Sequence, residues 1–253
     1  MKIGIIGAGK IGAALVRQYR HAGHEVKVTN ASGIEKLKAL ENETGAKAVL
    51  LNDVARDVEI LVISIPFAGI PALAKALAGK ISEKTVIVDT GNYYPLRDGR
   101  IDEIENGQVE SVWVSNYFPK SVVKVYNSIL AGSLVLAGLP KGGANRIALP
   151  VSGDNTREKE IIMSLVNDSG FDALDIGDLS QSWRQQPGAP IYCTDLNLPQ
   201  LKRNTGKADR ALLPGRRDQA LQFILKQNPA GWSEWYKDCV ANNRLVFETD
   251  LEG

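Results

Sequence analysis

The chain has 253 residues, 44% of them hydrophobic, which is enough to bury a substantial core as one large domain or two smaller ones. Thirty basic and twenty-nine acidic residues leave a net charge of +1, so no global field recruits nucleic acid or an anionic membrane. The expected partners are therefore a small molecule or a second copy in a homodimer.

No apolar run approaches the roughly eighteen residues that a membrane span needs, and the first strand begins at once, leaving no room for a signal peptide. The two cysteines, Cys193 and Cys239, have neither metal nor redox spacing. A cytoplasmic protein without a bound metal is the expectation.

The first element is a short apolar run, Ile3–Ile6, followed by Gly7-Ala8-Gly9-Lys10-Ile11-Gly12 and then by apolar residues at Ile11, Leu15, Tyr19 and Ala22. This reads as strand, tight turn and amphipathic helix. Glycines placed between a buried strand and a helix have a mechanism. Gly7 permits the tight turn, Gly9 lets backbone approach a pyrophosphate, and Gly12 lets the helix pack on the strand, while unpaired N–H groups and the helix dipole face the anion. The plainer alternative is that the glycines serve only a sharp turn. His21 and His24, the only histidines, fall at the far end of this helix and read as surface turn residues.

A second strand, Glu25–Val28, leads into Thr29-Asn30-Ala31-Ser32-Gly33. An Asp or Glu here would hydrogen-bond the ribose 2′-hydroxyl of NAD and repel a 2′-phosphate. Its absence favours NADP, with Lys36 in place of an Arg as the help expected for the 2′-phosphate. Ser32 and Glu35 also have capping-box spacing for the next helix, which carries Ile34, Leu37 and Leu40.

Strands and helices then alternate. Ala46–Val49 is a short strand; Glu59–Ile63 is a central strand ending in Ser64-Ile65-Pro66-Phe67; Thr85–Val88 is another, ending in Asp89-Thr90-Gly91-Asn92. Val122–Tyr126 ends in Asn127-Ser128. A last unit has strand Arg146–Val151, a helix capped by Asn155 with Glu158 and running through Leu165, and strand Phe171–Ile176. The pattern is that of an α/β doubly wound, mostly parallel sheet, a Rossmann-type dinucleotide-binding fold. It is expected over residues 1–177, with a partly helical extension over 178–253. Ligands of such sheets lie off the carboxyl ends of the strands, which makes those ends the candidate site.

Lys124 sits in a run of valines, where a lysine snorkels to solvent, pairs or works. Asn127 is placed to contact a nicotinamide carboxamide or the acceptor, and Asp89 either binds the cofactor or hydrogen-bonds its own turn. Dehydrogenases of simple alcohols need a proton-transfer group beside the carbonyl, often a histidine. With both histidines remote, Lys124, the tyrosines and the carboxylates are what remains.

The extension opens with Gly177–Pro190, in which Trp183 and Arg184 read either as a lid touching the acceptor or as a connection with Trp183 pinned into the core. Helices follow near 198–208 and 216–226. Lys202, Arg203, Lys207 and Arg210 read as a solvated face, and Trp232 and Trp235 as packing on a core or subunit interface.

The patterns Gly7–Gly12, Ser64-Ile65-Pro66 and Val122-Val123-Lys124-Val125-Tyr126-Asn127 resemble the deazaflavin-dependent NADP oxidoreductase family. They are similar too to the cytosolic NADPH-binding domain of the six-transmembrane metalloreductases, although no transmembrane segment follows here. The resemblance covers residues 1–177. It implies hydride transfer between NADP(H) and a deazaflavin or flavin-like acceptor, a reaction that depends on the proximity and orientation of two planar rings.

Carried over, Gly7, Ala8, Gly9, Lys10, Ile11 and Gly12 hold the pyrophosphate, while Thr29, Asn30 and Ser32, helped by Lys36, surround the 2′-phosphate. Ser64, Ile65, Pro66 and Phe67 flank the ribose side, with Asp89 at the next strand end. Asn127, Ser128 and Ile129 border the acceptor, and Asn127 and Lys124 are the candidate catalytic residues. Two departures stand out: Ser32 occupies the region where family members carry an Arg, and the short members lack residues 178–253. Competing readings are a non-catalytic NADP(H)-binding redox sensor and a carbonyl or imine reductase with Lys124 or a tyrosine as proton donor.

Overall fold

Six strands pair in parallel in the order β3-β2-β1-β4-β5-β6: β1 (Lys2–Ile6), β2 (Glu25–Thr29), β3 (Lys47–Ala48), β4 (Ile60–Ile63), β5 (Val86–Asp89) and β6 (Val123–Lys124). The structure is a computed structural model. It describes residues 1–226 and 232–252, without the side chains of Trp232 and Ser233, so the packing expected of Trp232 lies outside the described residues.

Chain order explains the topology, because each crossover carries a helix or a short turn of one across a face of the sheet. These are α1 (Lys10–His21), α2 (Lys38–Thr44), α3 (Leu51–Val54), α4 (Ile70–Ala76), α5 (Pro95–Asp98), α6 (Asp102–Glu105) and α7 (Glu110–Ser115). After β6 come α8 (Ala131–Leu136), then β7 (Ala148–Val151), α9 (Thr156–Asp168) and β8 (Asp172–Asp175), the last two strands forming a parallel pair. An antiparallel bridge between Lys124 and Ser152 ties that pair to β6.

Both faces of the sheet are covered, so the central strand β4 is apolar throughout and its residues alternate only in which layer they feed. Along β4, Ile60 and Val62 pack with Leu15, Tyr19 and Leu165, whereas Leu61 and Ile63 pack with Phe67, Ile87 and Trp113. A third cluster joins Ala148 of β7 to Ile191, Leu196, Leu201, Leu213 and Phe247 of the C-terminal segment. That segment contains α10 (Leu198–Thr205), α11 (Leu213–Lys226) and α12 (Trp232–Val246).

Four local expectations are revised. The Ser32–Glu35 capping box does not form: Gly33, at φ +90°, precedes a 3-10 turn over Ile34–Leu37 with no side-chain cap, and Glu35 pairs with Lys38 instead. His24 is buried rather than a surface residue, with Nε2 3.3 Å from Asp168 and Nδ1 3.2 Å from the amino terminus. Strand β6 is shorter than expected because Tyr126 takes φ +61° and turns the chain. Arg203 and Lys207 converge on Asp250, at 3.4 and 2.5 Å, so that part of the basic face is paired. The helix cap at Asn155 does form: its Oδ1 accepts from Glu158 N–H at 3.1 Å.

Candidate active site

The three glycines of the first turn occupy three different environments. A Cβ on Gly7, which has φ +99°, would collide with the Ser64 carbonyl, and one on Gly12 would collide with the Gly7 carbonyl. A Cβ on Gly9 meets nothing within 4 Å. Gly7 and Gly12 therefore close the strand-to-helix joint, while Gly9, the N-cap of α1, fronts open space where a ligand can approach backbone N–H groups and the positive end of the helix.

Across the carboxyl ends of β1, β4, β5 and β6 runs a cleft of about 320 Å³. Gly9, Lys10 and Ile11 line one end; Ser64, Ile65 and Pro66 the next stretch; Thr90, Gly91, Asn92, Tyr126, Asn127, Ile129, Leu130 and Ala131 the far end. Four further side chains complete it: Tyr94, Arg97, Tyr192 and Cys193. Neither a histidine nor a carboxylate is among the described lining residues.

The predicted residues are distributed as follows. Lys10, Ile11, Ser64, Ile65, Pro66, Asn127 and Ile129 share the cleft with Gly9. Thr29 is the buried last residue of β2, Asn30 follows it, and Ser32 and Lys36 are exposed in the loop and 3-10 turn beyond. Ser128 is buried at the end of β6, and its carbonyl accepts from Cys193 N–H at 2.9 Å. The side-chain oxygens of Asn30 and Ser128 are buried without a hydrogen-bond partner. Such orphans after β2 and β6, with an open Gly9 after β1 between them in sheet order, fit a polar ligand laid along the carboxyl edge, and NADP(H) has the shape and the donors to do so.

Lys124, Asp89 and Phe67 stand beneath the cleft rather than in it. Lys124 is fully buried, its Nζ donating to Asp89 Oδ2 at 2.9 Å and to the Gly91 carbonyl, with the Phe67 ring 5.8 Å away. Asp89 also accepts from Gly91 N–H at 2.8 Å through Oδ1, so its carboxylate is spent on its own turn and on Lys124. Phe67 is fully buried and stacks on Trp113 at 5.6 Å between centroids. A solvent-reaching lysine is thus excluded. The geometry replaces direct contact by Lys124, Asp89 and Phe67 with support: the ion pair fixes the β5 end, Asp89–Asn92, that forms the cleft floor.

Asn127 is held from two sides. Its Nδ2 donates to Asn92 Oδ1 at 3.0 Å and to the Gln185 carbonyl at 2.7 Å, and its Oδ1 accepts from Gln185 Nε2 at 2.7 Å. Gln185, fully buried, also accepts from the Ser152 hydroxyl at 2.8 Å. The C-terminal segment therefore enters the site through Gln185, Tyr192 and Cys193. Of the two readings of Trp183 and Arg184, a lid or a connection with Trp183 pinned into the core, the structure matches the second: neither lines the cleft, Arg184 stacks on Trp183 at 4.3 Å and the indole packs on the third core cluster. Gln185→Ala removes the side-chain partner of Asn127 Oδ1 and of the Ser152 hydroxyl, so a loss of about 2 kcal/mol in denaturant unfolding is expected, with weaker binding at the cleft.

Under the same loop lies Glu110, 4% exposed, whose Oε2 accepts from Tyr93 N–H at 3.1 Å. Burial pushes its carboxyl up to about 7, against the opposing pull of Lys124 and of the Tyr93 N–H. Between the ordinary carboxylate range and that value the native state keeps a proton that the unfolded chain has released, so stability falls as pH rises through the window. Glu110→Gln is expected to flatten the stability profile from about pH 5 to 7 and to stabilise the protein at pH 8 by roughly 2 kcal/mol, read by urea unfolding across pH.

Sequence reasoning missed Tyr94, Arg97, Gln185, Tyr192 and Cys193 as site residues. The loop after Asp89–Asn92 carried a signal, since Tyr94 and Arg97 directly follow a strand end. The last three are fixed only by folding of the extension.

A parallel sheet in the order 3-2-1-4-5-6, a glycine turn opening a helix and a cleft at the carboxyl edge define a dinucleotide-dependent oxidoreductase. Residues 2–93 match the family described as NADP oxidoreductase, coenzyme F420-dependent. Protein YjhV of Escherichia coli K12 is 34% identical over 115 residues, which is 43% of this chain and 77% of YjhV. Among solved structures, protein SMa0349 of Sinorhizobium meliloti, of unassigned function, is 26% identical with a TM-score of 0.68, over 78% of this chain and 95% of that one. A provisionally named F420-dependent NADP reductase from Arthrobacter sp. FB24 is 25% identical with a TM-score of 0.61, over 72% and 87%. The chain belongs to the F420-dependent NADP oxidoreductase family and is an NADP-dependent oxidoreductase acting on a small molecule. Among the described residues no helix is long and apolar enough to cross a membrane, and no group of three metal-ligating side chains occurs.

Proposed function

We propose that the protein moves a hydride between NADP(H) and a flat deazaflavin-type ring laid against the nicotinamide in the cleft. The observation that carries this reading is the cleft's composition. It is open, its apolar walls, Pro66, Ile129 and Leu130 among them, stand beside the polar side chains of Asn92, Tyr94, Asn127 and Tyr192, and neither a histidine nor a carboxylate is among its described lining residues. Ring-to-ring hydride transfer depends on proximity and orientation, which such walls supply.

NADP(H) supplies the hydride when bound. The residues placed to hold it are Gly7–Gly12 at the pyrophosphate, Asn30, Ser32 and Lys36 at the 2′-phosphate, and Ser64–Pro66 on the ribose side. Asn127, locked by Asn92 and Gln185, presents a fixed edge at the acceptor end. Tyr192 and Cys193 of the C-terminal segment complete the cleft from its side.

The test is anaerobic NADPH oxidation with 8-hydroxy-5-deazaflavin, FMN, a cyclic imine or no acceptor, with NADH as control. Saturable oxidation with the deazaflavin is expected, with NADPH preferred. Oxidation with FMN alone moves the reading to a flavin reductase, oxidation with the imine alone to an imine reductase, and tight NADPH binding without any turnover to a redox sensor.

A further inference from the structure

Tyr94 and Tyr192 meet in the cleft with their hydroxyl oxygens 2.9 Å apart. They come from distant parts of the chain, 98 positions apart: Tyr94 follows the β5 end, and Tyr192 belongs to the C-terminal segment. Of two hydroxyls sharing one hydrogen bond, only one proton is used between them, so the pair keeps a second proton to donate. Burial raises both phenols above their ordinary range, which keeps them protonated at neutral pH.

The other lining groups are poorer proton sources. Arg97 is paired with Asp98 at 2.8 Å; the Tyr126 hydroxyl faces Ser169 at 3.1 Å; Lys10 stands at the glycine turn, at the other end. The Cys193 thiol, next to Tyr192, is a weak hydrogen-bond donor.

We infer that the Tyr94–Tyr192 pair hydrogen-bonds the polar edge of the acceptor and delivers the proton that must accompany the hydride. This rests on the deazaflavin reading. The hydride brings one hydrogen and two electrons, forming a C–H bond at the central ring carbon. The displaced π pair moves onto a ring nitrogen of the acceptor, which takes a proton from the donating hydroxyl. The O–H bond that breaks is remade with a proton passed from solvent through the second hydroxyl, so both phenols end as they began.

The test uses Tyr94→Phe, Tyr192→Phe and the double variant, which leaves no hydroxyl orphaned. Three quantities are followed in the full-length protein: the dissociation constant for NADPH by fluorescence, that of oxidised deazaflavin with NADP+ present by its visible spectrum, and the solvent deuterium isotope effect on kcat. The expectation is unchanged NADPH affinity, deazaflavin affinity lowered about tenfold, kcat lowered about 100-fold and an altered solvent isotope effect. Unchanged deazaflavin affinity together with an unchanged kcat and isotope effect in all three variants overturns the pair's role while leaving the reaction intact. Failure of the unmodified protein to reduce deazaflavin overturns the reaction itself, and this role with it.

Discussion

Lys124→Ala is expected to destabilise the protein by about 3–5 kcal/mol, because it leaves the Asp89 carboxylate buried without its counter-ion. Neither side chain has a route to water: Lys124 is 0% and Asp89 1% exposed. The Gly91 carbonyl also loses its donor, since it accepts from the same Nζ. For a domain of this size that loss corresponds to a fall in Tm of roughly 10 °C. Asp89→Asn combined with Lys124→Met removes both charges and is expected to recover more than half of it, whereas either single change does not. Guanidinium unfolding of the four proteins closes the cycle. A single-variant loss below about 1 kcal/mol would show that the pair does not hold the β5 end as described.

The glycine turn gives the second large effect, and here the three positions separate binding from folding. Gly12→Ala drives a methyl into the Gly7 carbonyl, and Gly7→Ala adds both a clash with Ser64 and a φ of +99° that a side chain rarely adopts. Each is expected to cost about 3 kcal/mol or more and to abolish NADPH binding with it. Gly9→Ala meets no protein atom within 4 Å, so its Tm should stay within a few degrees of the parent while NADPH affinity falls at least about tenfold. Calorimetry paired with an NADPH fluorescence titration reads both. Full NADPH affinity in a folded Gly9→Ala protein would put the pyrophosphate elsewhere.

What the sequence shows and what it hides divide along a physical line. The Ile3–Gly12 pattern and the strands leading to Ser64, Asp89 and Asn127 are local, set by apolar period and by glycines whose geometry only one motif needs, and the observed sheet follows them in order, with β6 stopping early at Lys124. Burial is not local. Lys124 in a valine run was equally readable as an edge residue, and only the packing of Phe67 and the C-terminal segment around it decides the matter. The Tyr94–Tyr192 contact spans 98 positions and Asn127–Gln185 spans 58, distances over which no periodicity or spacing rule reaches. The Ser32–Glu35 box fails for a third reason: Gly33, at φ +90°, breaks the helical start on which the box depends.

The most direct test of hydride transfer in the cleft is isotopic. NADPH carrying deuterium at one or the other face of nicotinamide C4 is incubated anaerobically with the protein and 8-hydroxy-5-deazaflavin, and the reduced product is examined by mass spectrometry and NMR. The predicted result is that one face alone delivers its deuterium, in full, to the central ring carbon of the acceptor, with none in solvent. Label appearing in water, or no reduced deazaflavin at all while NADPH remains bound, would contradict the account.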